Sequence, residues 1–227
     1  RLSGKYSARL FYDSREIYSA LGPLSGNPLK QKIIAAIERH YVREVDHFIV
    51  SGELDAEYLK ETFKTDKPFD VIMNLPPYKE HEQADLFREK YGIGADRKIM
   101  LYQGVILPGR GLARIINALP DLPEFVLCIL GEGEYKETLK KQAEDLGVSP
   151  RVIFCGRLPY DELHSWTCSA DLGLSYIEPI SYSYELALPN KLFEYCMARI
   201  PSLASNLPAM RQFVNKYGIG DTVFPNA

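Results

Sequence analysis

Hydrophobic residues in the second half of the chain fall in short continuous runs that alternate with helical patterns. Because these runs are almost uniformly apolar, they predict parallel strands covered on both faces. The alternation predicts an α/β fold with a doubly wound parallel sheet, whose ligands bind at the carboxyl ends of the strands. The predicted strands lie at 98–104, 125–131, 151–156, 170–176 and 200–205. Helices are predicted at about 111–119, 134–146, 160–168, 190–198 and 207–216.

The first part of the chain repeats this alternation on a smaller scale. Asn27 and Pro28 predict a helix start, with Asn27 as the N-cap and Pro28 at the first helical position. That helix is predicted to end near Arg43, and a second helix, capped by Ser51, near Phe63. Strands are predicted beside these helices at 46–51 and 69–74.

Two consecutive prolines then interrupt the pattern, and the charged segment 79–90 follows them. A charge run of this kind is most simply a solvated helix or loop. We therefore place an interdomain linker near 75–95. The expected domains are 1–94, a partial N-terminal domain with the linker, and 95–227.

Composition narrows the classes of function. The chain has 227 residues, a formal net charge of −3 and a pI near 5.9, which argues against a general nucleic-acid binder. No apolar run approaches the roughly 20 residues that span a bilayer. The four cysteines lack CxxC spacing and the four histidines lack metal-binding spacing. We expect free thiols, no bound metal and a cytoplasmic location.

Residues 188–205 carry the strongest candidate chemistry. Pro189 and Asn190 open a predicted helix whose first-turn amides form an anion site. Lys191 adds a cation, and Glu194 follows one turn later on the same side, where it can accept hydrogen bonds from a sugar diol. The alternative is an ordinary amphipathic helix with a surface ion pair between Lys191 and Glu194. The helix pattern alone favours that alternative.

Glycines follow the first two strands of the second domain. The turn after Gly104 holds Arg110, whose guanidinium fork suits phosphate oxygens. Gly131 and Gly133 follow the next strand, but Lys136 stands where a dinucleotide fingerprint needs its third glycine. This departure excludes an NAD-binding dehydrogenase. Tight strand–helix connections would account for these turns as well.

Two further segments are ambiguous. Arg157 and Leu158 follow the third strand, where backbone groups can read a nucleobase edge and an ordinary turn fits equally. Asp161 or the adjacent turn is expected to start the next helix. The tyrosine-rich stretch 175–188 could stack on a sugar or a base, although tyrosines are also common in ordinary loops.

Taken in order, these segments resemble the C-terminal domain of glycosyltransferase family 4. Segments 13–19, 36–59 and 71–78 resemble the end of that family's first domain, so the similarity covers nearly the whole chain. The residues that carry the resemblance in the C-terminal part are Gly104, Arg110-Gly111, Gly131-Glu132-Gly133, Phe154-Cys155-Gly156, Ala170-Asp171, Glu194 and 201–205.

The resemblance implies a GT-B fold, with a Rossmann-like donor domain and part of a second Rossmann-like domain. It implies transfer of a sugar from a UDP- or GDP-sugar to a glycan or lipid-linked acceptor, usually with retention of configuration. No Asp-x-Asp motif is present, so neither a metal nor another cofactor is expected. Weak peripheral membrane contact through the N-terminal domain is a further hypothesis.

The resemblance also implies roles for individual residues. Arg110 would contact the donor diphosphate, and Lys191 with the amides near Asn190 would help to hold phosphate. Glu194 would bind the ribose, while two residues after the third strand would flank the base. The expected donor-binding residues are Gly104, Arg110, Gly131, Gly133, Arg157, Leu158, Asn190, Lys191 and Glu194.

Three departures from the family pattern indicate a subgroup with altered donor contacts. Leu186 stands where the first of two glutamates is usual, and Glu185 is one place off. Val105 replaces an arginine that commonly follows the first strand's glycine, and Arg15 stands where many relatives carry histidine. Because the first glutamate is missing, a non-catalytic nucleotide-sugar-binding module remains an alternative. A nucleotide-sugar 2-epimerase of the same fold is a second alternative, although the tyrosine-rich stretch and residues 188–195 resemble transferases more.

The chain opens at Arg1 and does not contain the first strands expected of a complete N-terminal domain. We expect an excised fragment that, by itself, binds nucleotide weakly and transfers sugar poorly.

Overall fold

The computed structural model describes residues 5–21 and 26–225 and divides into two compact units. The first unit comprises the described residues up to Asn74 together with Pro179–Leu188, and the second comprises Leu75–Glu178 with the described residues from Pro189 onward. This division differs from the boundary drawn at residue 94. Segment 75–94 packs with the second unit, and the tyrosine-rich stretch contributes residues to the first.

The strands of both units are parallel to their neighbours. The first unit has a three-stranded sheet in the order β1-β2-β3, and the second has a six-stranded sheet in the order β6-β5-β4-β7-β8-β9. The strands are Phe11–Ser14 (β1), His47–Val50 (β2), Phe69–Val71 (β3), Lys98–Gln103 (β4), Phe125–Leu130 (β5), Val152–Gly156 (β6), Leu172–Ser175 (β7), Ser202–Ser205 (β8) and Gly220–Val223 (β9).

Helices connect successive strands in both units. The α-helices are Pro28–Tyr41 (α1), Glu53–Phe63 (α2), Leu86–Tyr91 (α3), Leu112–Ala118 (α4), Lys136–Asp145 (α5), Leu163–Cys168 (α6), Tyr182–Glu185 (α7), Asn190–Met197 (α8) and Pro208–Tyr217 (α9). Short 3₁₀ turns add Tyr18–Ala20, Val42–Glu44, Leu119–Asp121 and Ser149–Arg151.

The larger sheet agrees with the five strands predicted for the second domain, and it adds a sixth. The added strand, β9, pairs with β8 from Ser202↔Gly220 to Ser205↔Val223. Its sequence, Gly-Asp-Thr-Val, is too polar to stand out as a buried strand. It lies at the edge of the sheet, where covering on both faces is incomplete and polar residues are tolerated.

The N-termini of α1 and α2 differ from each other. The prediction for α1 is confirmed, since the Asn27 side chain accepts a hydrogen bond from the Lys30 amide at 3.0 Å and Pro28 opens the helix. The prediction that Ser51 caps α2 is wrong. Gly52 is the N-cap, and the Ser51 hydroxyl instead donates to Asp55 Oδ2 at 3.2 Å.

The charged segment before β4 is not simply solvated, and that expectation is wrong for its second half. Within α3, Phe87 is fully buried and its ring centroid lies 5.0 Å from that of Trp166. Arg88 donates to Asp171 Oδ2 at 2.8 Å. The aromatic and ionic contacts therefore join this segment to the second unit.

Helix α6 begins later than the predicted helix at 160–168. Glu162 is its N-cap, and no side chain caps it, so the turn after Asp161 starts the helix and the Asp161 carboxylate does not.

Two apolar clusters cover opposite faces of the larger sheet, because side chains alternate between faces along each strand. Met100 and Tyr102 of β4 belong to one cluster, with Ile116 of α4. Ile99 and Leu101 of the same strand belong to the other cluster. Because both faces of these strands are packed, the carboxyl ends of the strands are held in fixed positions.

The strand order reverses between β4 and β7, which lie side by side at the centre of the larger sheet. From β4 the chain winds outward through β5 and β6, and from β7 it winds outward through β8 and β9. Connections leave the two central strands in opposite directions, which opens a crevice at their carboxyl ends. The fold therefore predicts a ligand site beside Gln103 and the loops that follow.

Candidate functional site

A cavity of about 350 Å³ lies at this crevice. Its walls come from the carboxyl ends of β4, β5 and β6, from the start of α6, and from the first two turns of α8. The lining residues are Gln103, Gly104, Val105, Leu130, Gly131, Glu132, Arg157, Leu158, Tyr160, Leu163, Asn190, Lys191 and Glu194.

Glycine is required where the strand ends meet. Gly131 has a φ of +150°, and a Cβ atom added to it would lie 1.9 Å from the carbonyl oxygen of Gly104. The Gly104 amide donates to Leu130 O at 2.9 Å, which joins the ends of β4 and β5. Because no side chain fits between them, the two turns stay close together and leave the space above them open for a ligand.

Gly133 also has a packing role. A Cβ atom added to it would lie 2.0 Å from the carbonyl oxygen of Ile106, and Gly133 is not among the residues that line the cavity. This close backbone approach is sufficient to require a glycine there.

Lys191 is the buried cation of the site. It is the second residue of α8, its side chain is only 9% exposed, and its Nζ lies 3.7 Å from the centroid of the Tyr102 ring. Burial lowers the pKa of Lys191 to about 7; the positive charge of Arg110 acts in the same direction, and Glu194 opposes both. The ammonium group thus lies in a water-poor site that favours a negatively charged ligand.

Glu194 lies one helical turn after Lys191 and is held by a chain of side chains. The Gln103 amide nitrogen donates to Glu194 Oε2, and the Thr167 hydroxyl donates to Gln103 Oε1 at 3.0 Å. Burial raises the pKa of Glu194, while the hydrogen bond from Gln103 and the charge of Lys191 act in the opposite direction. The surface ion pair that the helix pattern favoured is therefore wrong, because both residues face the cavity.

Most of the predicted donor-binding residues line this one cavity. They are Gly104, Gly131, Arg157, Leu158, Asn190, Lys191 and Glu194. The two that do not line it are Gly133 and Arg110, although Arg110 is near enough for its charge to lower the pKa of Lys191. The geometry places these residues together, and their roles in donor binding stay predictions.

Several lining residues were not predicted from the sequence. Gln103 is the last residue of β4 and only 4% exposed, yet it is bonded to a residue 91 positions away. Its signal in the sequence was a polar residue at the end of an apolar strand, directly before the glycine. The other unpredicted lining residues are Val105, Leu130, Glu132, Tyr160 and Leu163.

A smaller cavity of about 240 Å³ adjoins the first and shares Tyr160, Leu163 and Glu194 with it. His164 lines it, and the His164 Nε2 atom lies 2.7 Å from the carbonyl oxygen of Glu80. A carbonyl oxygen only accepts, so His164 Nε2 donates this hydrogen bond. Glu194 lines both of these neighbouring cavities.

The tyrosine-rich stretch forms the short helix α7 and not only a loop. The Ser181 side chain accepts a hydrogen bond from the Tyr184 amide, and Leu186 is the C-cap. Tyr182 contacts Tyr58 within the first unit, with ring centroids 4.9 Å apart. The stacking of these tyrosines on a sugar or base stays a prediction.

The described part of the chain adds two negative findings. None of its helices combines the length and apolar character needed to cross a membrane. Across residues 5–21 and 26–225, no three His, Cys, Asp or Glu side chains come together as metal ligands would. Metal independence remains an expectation drawn from the sequence.

Comparison with known proteins identifies the family. The family model of the glycosyl transferases group 1 matches residues 83–227, which include every residue that lines the cavity. The chain belongs to the group 1 glycosyl transferases. The match confirms the predicted kind of enzyme family, and the narrower assignment to family 4 stays a prediction.

A curated relative of this group 1 chain comes from Mycolicibacterium smegmatis. It is a GDP-mannose-dependent alpha-(1-6)-phosphatidylinositol monomannoside mannosyltransferase, 27% identical over 197 residues. The match covers 76% of this chain and 51% of the relative, so the chain spans about half the length of that protein.

Solved structures show the same architecture. HepE from Anabaena, solved in complex with UDP, aligns with a TM-score of 0.77 at 17% identity and covers 98% of this chain and 60% of its own. Sucrose-phosphate synthase from Thermosynechococcus elongatus aligns with a TM-score of 0.77 at 16% identity, covering 100% of this chain and 57% of its own. At these identities the likeness shows the fold, and it confirms the predicted GT-B-like α/β class.

Proposed function

We propose that this chain is the donor-binding part of a glycosyltransferase that moves a sugar from a UDP- or GDP-sugar to a glycan or lipid-linked acceptor. One observation carries the proposal: the cavity at the strand-order reversal combines the start of α8, the buried Lys191 and the carboxylate of Glu194. Family membership supports sugar transfer as the reaction class.

The arrangement fits a nucleoside diphosphate. Amides at the start of α8 and the ammonium of Lys191 suit the phosphates, and Arg110 adds a second positive charge nearby. Glu194 suits the ribose hydroxyls, because an ionised carboxylate accepts two hydrogen bonds. Arg157 and Leu158 line the same cavity and would flank the base.

The relatives support both candidate donors. The Mycolicibacterium smegmatis relative is named as GDP-mannose-dependent, and the HepE structure contains UDP. In the proposed reaction, positive groups and the helix start stabilise the departing diphosphate, without a metal or another cofactor. Retention of configuration, cytoplasmic location, a role in polysaccharide biosynthesis and membership of family 4 are parts of the same proposal.

Nucleotide binding tests the donor site. Isothermal titration of UDP, GDP and ADP into this chain should show binding of UDP or GDP, and Glu194→Ala should weaken it at least about tenfold. Glu137→Ala is the matched control, because Glu137 lies on the exposed face of α5, paired with Lys140. If neither UDP nor GDP binds, or if the two variants behave alike, the donor-site assignment is wrong.

Turnover by the full-length protein separates the alternatives. Transfer from a radiolabelled UDP- or GDP-sugar to a membrane or glycan extract would support the transferase. Binding without transfer would favour a non-catalytic module, as Leu186 in place of a glutamate suggests. Conversion of the free nucleotide sugar to its 2-epimer would favour an epimerase.

Weak peripheral membrane contact is a separate part of the proposal. Along α1, no residue is buried, and apolar side chains recur every fourth position on one face. These exposed residues are Leu29, Ile33, Ile37 and Tyr41. Basic residues outnumber the single acidic residue of the helix, as suits an anionic surface.

A further inference from the structure

Gln103 stands at the junction between the core and the cavity. It ends the central strand β4, is 4% exposed, and lines the cavity next to Gly104. A buried side-chain amide needs hydrogen-bond partners for both its oxygen and its nitrogen. Two side chains supply them, Thr167 from α6 and Glu194 from α8.

The direction of these bonds follows from their chemistry. An ionised carboxylate can only accept, so the Gln103 nitrogen must face Glu194. The amide oxygen then faces Thr167, whose hydroxyl donates to it at 3.0 Å. The hydroxyl has one proton and also lies 2.7 Å from Leu163 O, so the two oxygens share that proton, and the hydroxyl is held against the preceding turn of α6.

The chain of bonds constrains a flexible side chain. A free glutamate samples several rotamers, and ordering such a side chain costs conformational entropy. Here the order is established before any ligand arrives, because Glu194 Oε2 is bonded to an amide that is itself fixed. The remaining lone pairs of the carboxylate stay able to accept hydroxyl groups.

We propose that Gln103 is a positioning residue for ribose recognition: its amide, oriented by Thr167, holds the Glu194 carboxylate where it accepts the 2′ and 3′ hydroxyls of the donor nucleotide. The proposal rests on the donor-site function proposed above. It assigns Gln103 and Thr167 to the site although neither needs to touch the ligand.

The test compares ribonucleotides with their dideoxy counterparts. UDP and 2′,3′-dideoxy-UDP, and GDP and 2′,3′-dideoxy-GDP, are titrated calorimetrically into the wild-type chain and into Gln103→Met, which keeps the side-chain length and removes both polar groups. The wild type should prefer the ribonucleotide. Gln103→Met should bind the ribonucleotide roughly tenfold more weakly and the dideoxynucleotide unchanged.

Two further variants separate positioning from a loss of structure. Thr167→Val should reduce the preference for the ribonucleotide over the dideoxynucleotide by a few-fold. Thr167→Ser keeps the hydroxyl and should show the same preference as the wild type. Gln142→Met is the matched control, because the Gln142 amide is bonded to Ala113 O outside the cavity at 2.8 Å. Equal thermal unfolding midpoints for Gln103→Met and Gln142→Met would show that the fold is intact.

The outcomes are distinguishable. If the wild type binds neither UDP nor GDP, the donor site itself fails and this inference fails with it. If it binds one of them and prefers the ribose form, but Gln103→Met keeps the full preference, only the positioning role is overturned. Equal losses for ribo- and dideoxynucleotides in Gln103→Met would also overturn it, since they would indicate general damage to the cavity.

Discussion

The ammonium group of Lys191 lies 3.7 Å from the centroid of the Tyr102 ring. The contact places a cation against the negative face of an aromatic ring, which partly compensates for the loss of water around a buried ammonium. Compensation is incomplete, because burial still lowers the pKa of Lys191 to about 7. A fraction of the protein therefore has a neutral Lys191 near neutral pH.

Nucleotide binding should consequently take up a proton. A diphosphate favours the charged lysine, so its binding raises the pKa of Lys191, and above pH 7 the complex holds more protons than the free protein. Affinity then falls as pH rises through the window above 7, by at most about tenfold per pH unit for one proton. Calorimetric titrations of UDP and GDP between pH 7.5 and 9, in buffers of different ionisation enthalpy, measure the affinity and the number of protons taken up on binding.

Two substitutions control this measurement. Lys191→Met should bind the nucleotide more weakly and without the pH dependence. Lys191→Arg keeps its charge throughout the window, so its affinity should not change with pH. The same slope in Lys191→Met as in the wild type would show that another group takes up the proton.

Gly131→Ala should destabilise the second unit far more than Gly147→Ala. Both glycines have positive φ values, but a Cβ atom on Gly131 would lie 1.9 Å from Gly104 O, whereas nothing lies within 4 Å of one on Gly147. The backbone conformation alone costs roughly 1–2 kcal/mol for Gly147→Ala. The added clash should bring the loss for Gly131→Ala to about 3 kcal/mol or more.

Urea unfolding followed by the fluorescence of Trp166 measures this difference. Trp166 is the single tryptophan of the chain and is buried in the second unit, so its signal reports on that unit. Equal losses of unfolding free energy in the two variants would mean that the ends of β4 and β5 can separate at little cost.

The larger sheet could be predicted from the sequence, because uninterrupted apolar runs such as those of β4 and β5 are typical of parallel strands covered on both faces. The prediction failed at β9, whose pairing with β8 depends on backbone hydrogen bonds that any residue type can make. The prediction that Ser51 caps α2 was wrong for a related reason. The Ser51 hydroxyl could bond either the helix start or Asp55, and spacing alone does not choose between them.

The residues of the candidate site also fall into two groups, those that the sequence indicated and those that it did not. The helix start made Lys191 and Glu194 candidates, and the resemblance to family 4, not the local pattern, implied that they bind the donor. Gln103 and Thr167 could not be found from the sequence, since their bond joins residues 64 positions apart and exists only after β4 and α6 pack together. The burial of Lys191 was missed as well, because a charged residue after Pro-Asn resembles a solvated helix start.

Asp171→Ala should destabilise the second unit without weakening nucleotide binding. Asp171 Oδ2 accepts hydrogen bonds from the Ile99 amide and from Arg88, each at 2.8 Å. Removing the carboxylate leaves a buried amide and a largely buried guanidinium without this partner, at a cost of about 2 kcal/mol. The residue lies at the amino end of the sheet, away from the cavity, so UDP or GDP affinity should be unchanged.

Asp96→Ala is the control for this prediction. Asp96 is 78% exposed and lies 3.5 Å from Arg97, and exposed pairs of this kind contribute between about 0 and 1 kcal/mol. In urea unfolding, Asp171→Ala should therefore lose more unfolding free energy than Asp96→Ala. A nucleotide affinity that falls in Asp171→Ala would indicate that the start of β4 influences the strand ends.

The apolar stripe of α1 should mediate weak binding to anionic membranes. Ile33 and Ile37 are 50% and 51% exposed at adjacent turns of the helix, where insertion into a lipid surface would remove them from water. The full-length protein should co-sediment at low salt with vesicles of phosphatidylglycerol and phosphatidylcholine. The double variant Ile33→Asp/Ile37→Asp should not, because two carboxylates would then face the lipid. Ile72→Asp, at a 58% exposed position outside the helix, should bind like the wild type. If the wild type stays in the supernatant, or if Ile72→Asp abolishes binding as fully as the double variant, α1 has no specific role at a membrane.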